Sequence, residues 1–363
     1  MSSYRGTRQR IETETPASNT RIVGIDIARG LAVLGMYGAH VAVTVPFDWA
    51  EPGTWLDVVN GRSSILFALL AGVSIAIISG RTRPVEGSAL RAARIRIFVR
   101  AALIFGLGVF LVWLDTRIAI ILPVYAVLFV AVLPVLRWRA RSLFVAAGIL
   151  SIVGPIVAVL ATIMLPAADP ILDLLLTGHY PAIIWIVFVL VGLGVGRLEL
   201  TRQRVQLWVL GVGFGLAVVG YGFGVAANRA VLATVPLPPL DIRLLATTEP
   251  HSGSPFEVIG STGFALAVLA LCLLVASRAP RVLYPVAAVG SMALSAYTAH
   301  VVIVFFIGES AFTQDNNALY LAFVLGALVL CTVWALTLGR GPLERVLTWV
   351  SRTAARPIGR ARS

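Results

Sequence analysis

Residues 21–45 read RIVGIDIARGLAVLGMYGAHVAVTV, an apolar run of membrane-crossing length that nevertheless carries Asp26, Arg29 and His40. A spanning helix needs about 20 apolar residues. A charge near the bilayer centre costs roughly 2.5–3.5 kcal/mol on insertion scales, so such residues usually line a polar pathway. At 3.6 residues per turn and 1.5 Å rise, Arg29 and His40 fall on one helix face, about 16 Å apart along the axis. Asp26, three residues before Arg29, is placed to pair with it. One helix thus carries an anion-binding group toward one membrane face and an acid/base group toward the other. That pattern points to a site reaching across the membrane.

The remainder of the chain is of the same kind. It is 58% hydrophobic and 13% charged, and further apolar runs occupy 61–79, 97–114, 118–136, 142–165, 181–198, 205–227, 256–276, 282–307 and 318–338. With the first run these predict an all-α, polytopic integral membrane bundle of about ten transmembrane helices. The expected organisation is a disordered tail over 1–21, one transmembrane domain over 22–338 and a basic tail over 339–363. The first 21 residues lack the apolar stretch of a secretory signal, so the first helix is expected to be retained.

Orientation follows from arginine. All 29 basic residues are Arg. With both termini cytoplasmic and ten crossings, 24 of them fall on the cytoplasmic side; Arg62, Arg117, Arg229 and Arg243 lie outside and Arg29 within the first helix. The positive-inside rule favours that arrangement in a cell membrane. The net charge of +12 is then a topology signal, and no nucleic-acid partner is needed to explain it.

The same topology puts His40, His179, His251 and His300 toward the extracytoplasmic side. His300 follows Ser295 and Tyr297 in a polar stretch, where it either lines a site or bonds to a neighbouring helix. His179 and His251 adjoin loop residues and read as interface histidines. Asp26 and Arg29 also read as a structural pair, with Arg29 snorkelling outward. The arginines of 81–100 and 137–141 fit lipid headgroup contact. Cys272 and Cys331 lie in apolar runs and read as small core residues. GLGVG at 192–196 and the glycines of 211–224 sit inside helices, where they serve close packing. No metal is expected.

Several stretches together resemble a family. D-x-x-R-G-L-A over Asp26–Ala32, with His40 beyond it, resembles the first-helix signature of the membrane acyltransferase superfamily that includes heparan-α-glucosaminide N-acetyltransferase and the YeiB-like bacterial proteins. LFALLAGVSIAI at 66–77, TGHYPAIIWIVFVLVGLGVGRL at 177–198, GSMALSAYTAH at 290–300 and GPLERVLTWVSR at 341–352 resemble the YeiB-like branch. The resemblance implies transfer of an acyl group, most simply acetyl, from cytoplasmic acyl-CoA to an extracytoplasmic carbohydrate or envelope acceptor. It makes His40, Asp26, Arg29 and His300 the candidate catalytic residues, and Arg29, Arg94, Arg96 and Arg100 the candidates for acyl-CoA. The lysosomal branch has a His in the first outer loop. This chain has none between Pro46 and Gly61 and offers Asp48, Glu51 and Asp57 instead, which favours His40. Intramembrane charges and glycine-rich helices suit a transporter or flippase as well.

Overall fold

A computed structural model describes residues 21–48, 50–165, 169–234, 244–312 and 317–356. The expected N-terminal tail lies outside these residues save Arg21, as do 357–363 of the basic tail, Asp241 and Arg243. Twelve α-helices of eight residues or more are described: α1 Val23–Val41, α2 Arg62–Ile78, α3 Gly87–Trp113, α4 Leu122–Ala131, α5 Ala140–Met164 and α6 Ala182–Gly196. They are followed by α7 Gln203–Thr234, α8 Pro255–Ala276, α9 Tyr284–Ser291, α10 Ala293–Ile307, α11 Asn317–Thr337 and α12 Pro342–Ala354. No strand occurs among the described residues. The chain is all-α, as the apolar runs require.

Among the described residues, seven helical stretches are long and apolar enough to cross a membrane, or eight if the bent pair Pro170–Thr177 and α6 (49° between them) forms one span. Three expected spans differ: 118–136, 282–307 and the first, 22–45. The run 118–136 yields only the 10-residue α4, about 15 Å long against a hydrocarbon core of about 30 Å. Pro134 just beyond it lacks the N–H that a continuing helix requires. The run 282–307 is broken at Met292, where α9 ends and α10 begins. The cause is remote in sequence: Glu344 of α12 accepts from the backbone N–H groups of Leu294 (2.8 Å) and Ser295 (3.1 Å) and from Ser295 Oγ (2.6 Å). A carboxylate there satisfies orphan donors and complements the helix dipole.

α1 is not among the seven. Its charged and polar residues lower its apolarity, and protein rather than lipid surrounds it: Ala28, Ala32 and Val33 are essentially inaccessible. By contrast only 11% of α11's apolar window is buried, which leaves its other faces for lipid. Glycines set the central spacing. A Cβ on Gly290 of α9 would stand 1.7 Å from the Asp26 carbonyl oxygen, and one on Gly192 of α6 would stand 1.8 Å from that of Leu69. These are backbone-to-backbone contacts of the small-residue kind that brings membrane helices close, as expected for the glycines of 192–196. Arg197, expected only as a topology signal, is buried: it donates to the carbonyls of Ser79, Arg81 and Leu136 and to Ser79 Oγ, tying together the ends of α2, α4 and α6. Burial pushes its guanidinium down to about 10.

Candidate functional site

The C-terminal half of α1 presents His40 to a cavity of about 770 Å³. Its walls include seven places in the chain: α1, the turn Pro52–Val59, the start of α2, the link between α3 and α4, the His179–Tyr180 segment, the Glu249–His251 segment, and Tyr297 of α10. Polar atoms converge there from Asp57, Asn60, Ser63, Ser64 and Arg117. Asp57 accepts from Asn60 Nδ2 at 2.7 Å, and Asn60 also reaches Thr44 at 3.0 Å. Asp48 and Glu51 instead hold the turn, their carbonyls accepting from Thr54 Oγ1. Of the three first-loop carboxylates, only Asp57 lines the cavity.

His40 and His300 meet, although 260 residues separate them. His40 Nδ1 and His300 Nε2 lie 3.2 Å apart, and the rings stack with centroids 5.4 Å apart. His300 is 1% exposed; Tyr37 stacks on it at 4.4 Å and Phe323 meets it edge-on at 4.5 Å. Tyr37 is itself fixed by donating to the Ala296 carbonyl at 3.0 Å. Two neutral tautomers satisfy the pair. Either His40 donates from Nδ1 and keeps a lone pair on Nε2, or His300 donates and His40 carries its proton on Nε2. With Nδ1 committed, Nε2 is the nitrogen His40 has left for the cavity. His300 Nδ1 is buried without a hydrogen-bond partner, on the side where an apolar groove of about 430 Å³ runs between α10 and α11.

A second pair lines the same cavity. The His179 and His251 rings lie 4.3 Å apart, with Tyr180 edge-on to both. His251 takes a positive φ of 62° in the loop before α8. Ser254 caps α8 by accepting from the Glu257 N–H at 3.0 Å, and the Glu257 carboxylate accepts from the N–H groups of His251 (3.2 Å) and Gly253 (2.9 Å). These bonds pin the loop to the start of α8. Burial, then the neighbouring His179 and His40, push the His251 imidazole down to about 3, so it is neutral near pH 7. Read from sequence, His179 and His251 looked like unrelated interface residues. The available signal was that all four histidines share one side of the bundle.

At its other end α1 carries Arg29. Asp26 is buried and accepts from Arg21 with one oxygen and from Arg29 (3.2 Å) with the other; Arg29 also donates to Ser74 Oγ at 2.6 Å. Arg96 and Arg100, four residues apart on α3, turn toward α12, where Arg100 donates to Ser351 Oγ (3.3 Å) and Thr348 Oγ1 (3.4 Å). Arg94 is exposed and stands on another face of α3. The structure therefore joins His40 with His300, and Asp26 with Arg29, while Arg94 stands apart from Arg96 and Arg100. Between the two ends, Met36, Phe67, Tyr125, Leu294 and Tyr297 enclose a void of only about 10 Å³.

A central charged helix, a lipid-facing ring and a histidine-lined cavity define a polytopic membrane protein built around a site within the bundle. The family model described as heparan-alpha-glucosaminide N-acetyltransferase, catalytic, matches residues 21–220, more than half of the 363 residues, and the chain belongs to this family. A second model, described as a protein of unknown function (DUF418), matches residues 202–354. Both agree with the resemblance carried by the first-helix motif and the YeiB-like stretches. No curated protein matches the chain. The chain is thus a membrane protein of an acetyltransferase-like family.

Proposed function

We propose that the protein is a membrane-embedded acyltransferase that moves an acetyl group from cytoplasmic acyl-CoA to a hydroxyl or amine of an extracytoplasmic carbohydrate or envelope acceptor. In this reading the Arg29 end faces the cytoplasm, both termini lie on that side, and the His40 cavity opens to the other face of the cell membrane. The observation that carries it is the His40–His300 pair at a polar cavity large enough for a sugar-sized acceptor.

The chemistry follows from the ring nitrogens. His300 holds His40 through Nδ1, leaving Nε2 as a general base, a role imidazole fills near neutral pH. His40 Nε2 takes the proton from the acceptor O–H or N–H as that oxygen or nitrogen attacks the thioester carbonyl carbon. When the tetrahedral intermediate collapses and the C–S bond breaks, His40 returns the proton to the departing thiol. Asp57, Asn60 and the His179–His251 pair offer hydrogen bonds to an acceptor's other hydroxyls. Asp26 orients Arg29 toward a phosphate-bearing donor.

Proteoliposomes supplied with labelled acetyl-CoA and a panel of amino sugars and polyols test this. Donor-dependent labelling of an acceptor that disappears with His40→Ala supports the reading. Accumulation of unmodified solute inside the vesicles without donor would instead make the protein a transporter.

A further inference from the structure

The Arg29 end of the bundle gathers more positive charge than its carboxylates neutralise. Arg100 lies within electrostatic reach of Arg96, Arg352, Arg29 and Arg340, and Arg96 within reach of Arg352. Two carboxylates stand near Arg29, and both are already engaged. Asp26 is held by Arg21 and Arg29. Glu344 caps α10 through Leu294 and Ser295. Crowded guanidinium groups of this kind repel one another.

Arginines that serve topology alone extend their long stems toward headgroups. Arg100 does not. It is half-buried and its guanidinium is held by two hydroxyls of α12, one of them on the fully buried Ser351. Arg96, one turn away, has its Nε buried without a hydrogen-bond partner. A fixed planar fork beside further cations is the arrangement that recognises phosphate bidentately.

We propose that Arg96 and Arg100 of α3, with Arg340 and Arg352 flanking and ending α12, form a binding site for a diphosphate group, and that α12 is the wall that completes it. The site joins the two matched regions, since α3 lies within 21–220 and α12 within 202–354. It deepens the acyltransferase reading, and it rests on that reading only in taking the diphosphate from a nucleotide-bearing donor rather than from a lipid headgroup.

The test uses the full-length protein in nanodiscs of pure phosphatidylcholine, titrated with coenzyme A, alongside nanodiscs containing phosphatidylglycerol. Thermal unfolding confirms that each variant folds. Saturable coenzyme A binding in phosphatidylcholine that weakens at least tenfold in both Arg100→Gln and Arg352→Gln supports the proposal. Arg141→Gln, at an exposed arginine at the start of α5, should bind as wild type. Coenzyme A binding that both site variants leave unchanged overturns the site while the acyltransferase reading survives. Enrichment of phosphatidylglycerol around the protein that both variants abolish, with no coenzyme A binding, overturns the diphosphate site, since that headgroup carries a single phosphate, and removes the donor from the proposed function. Neither ligand binding overturns the proposal.

Discussion

The two ends of α1 are built by opposite means. At one end His40 is gripped by another imidazole and that imidazole by aromatic rings; the assembly is neutral and faces a walled cavity. At the other, Arg29 is gripped by a carboxylate and a hydroxyl amid further guanidinium groups, and the assembly carries surplus charge. In the proposed reading, one helix serves a ligand that must give up a proton and a ligand that must bring negative charge. That reading assigns chemistry to the first end and anchoring to the second.

The sharpest way to break that division is to remove the base. His40→Ala should lower acyl transfer by about 10²–10⁴-fold while leaving coenzyme A affinity unchanged; equal losses in both would merge the two ends into one site. Gly290→Ala attacks both at once, because its Cβ would fall against the Asp26 carbonyl. Overpacking costs typically 1–3 kcal/mol, and a clash with backbone belongs at the upper end, so thermal unfolding in detergent should drop by several degrees. His300 acts only through His40. His300→Ala should cost roughly 10- to 100-fold in turnover by misplacing the base and should shift the acidic limb of the pH–rate profile, with His300→Gln retaining more activity because it still bonds His40 Nδ1. A purely packing role would leave that limb where it is.

The smallest effect concerns the second histidine pair. His251 is held neutral in the folded protein down to about pH 3, against an ordinary value of 6.5. Between those values the unfolded chain binds a proton that the folded chain does not, so His251 costs the fold stability as pH falls. Unfolding temperatures measured from pH 7 to pH 4.5 should decline less steeply for His251→Gln than for wild type.

The reading of α1 needed only its own 25 residues, because charge cost and helical period act locally. The same period puts Arg96 and Arg100 on one face of α3 and Arg94, two residues before Arg96, roughly 160° away around the helix. What stayed hidden was long-range. Nothing near His40 announces His300, and the break at Met292 is made by Glu344, whose carboxylate arrives from α12. The short α4 misled because its run is as apolar as a true span, and apolarity alone does not distinguish helix embedded in protein from helix embedded in lipid.

The thin layer of Met36, Phe67, Tyr125, Leu294 and Tyr297 has an electrical meaning. In the proposed orientation, a polar cavity above this layer and a cationic cluster below it would focus the membrane potential across it. Moving one elementary charge through the full potential is worth about 2.3 kcal/mol per 100 mV. An acetyl group is neutral and would pass with no electrical work, whereas a proton leaking from the histidines would be driven by the whole field. In the proposed reading the layer serves as an insulator, letting the bundle carry acid/base chemistry without draining the gradient across the membrane that contains it.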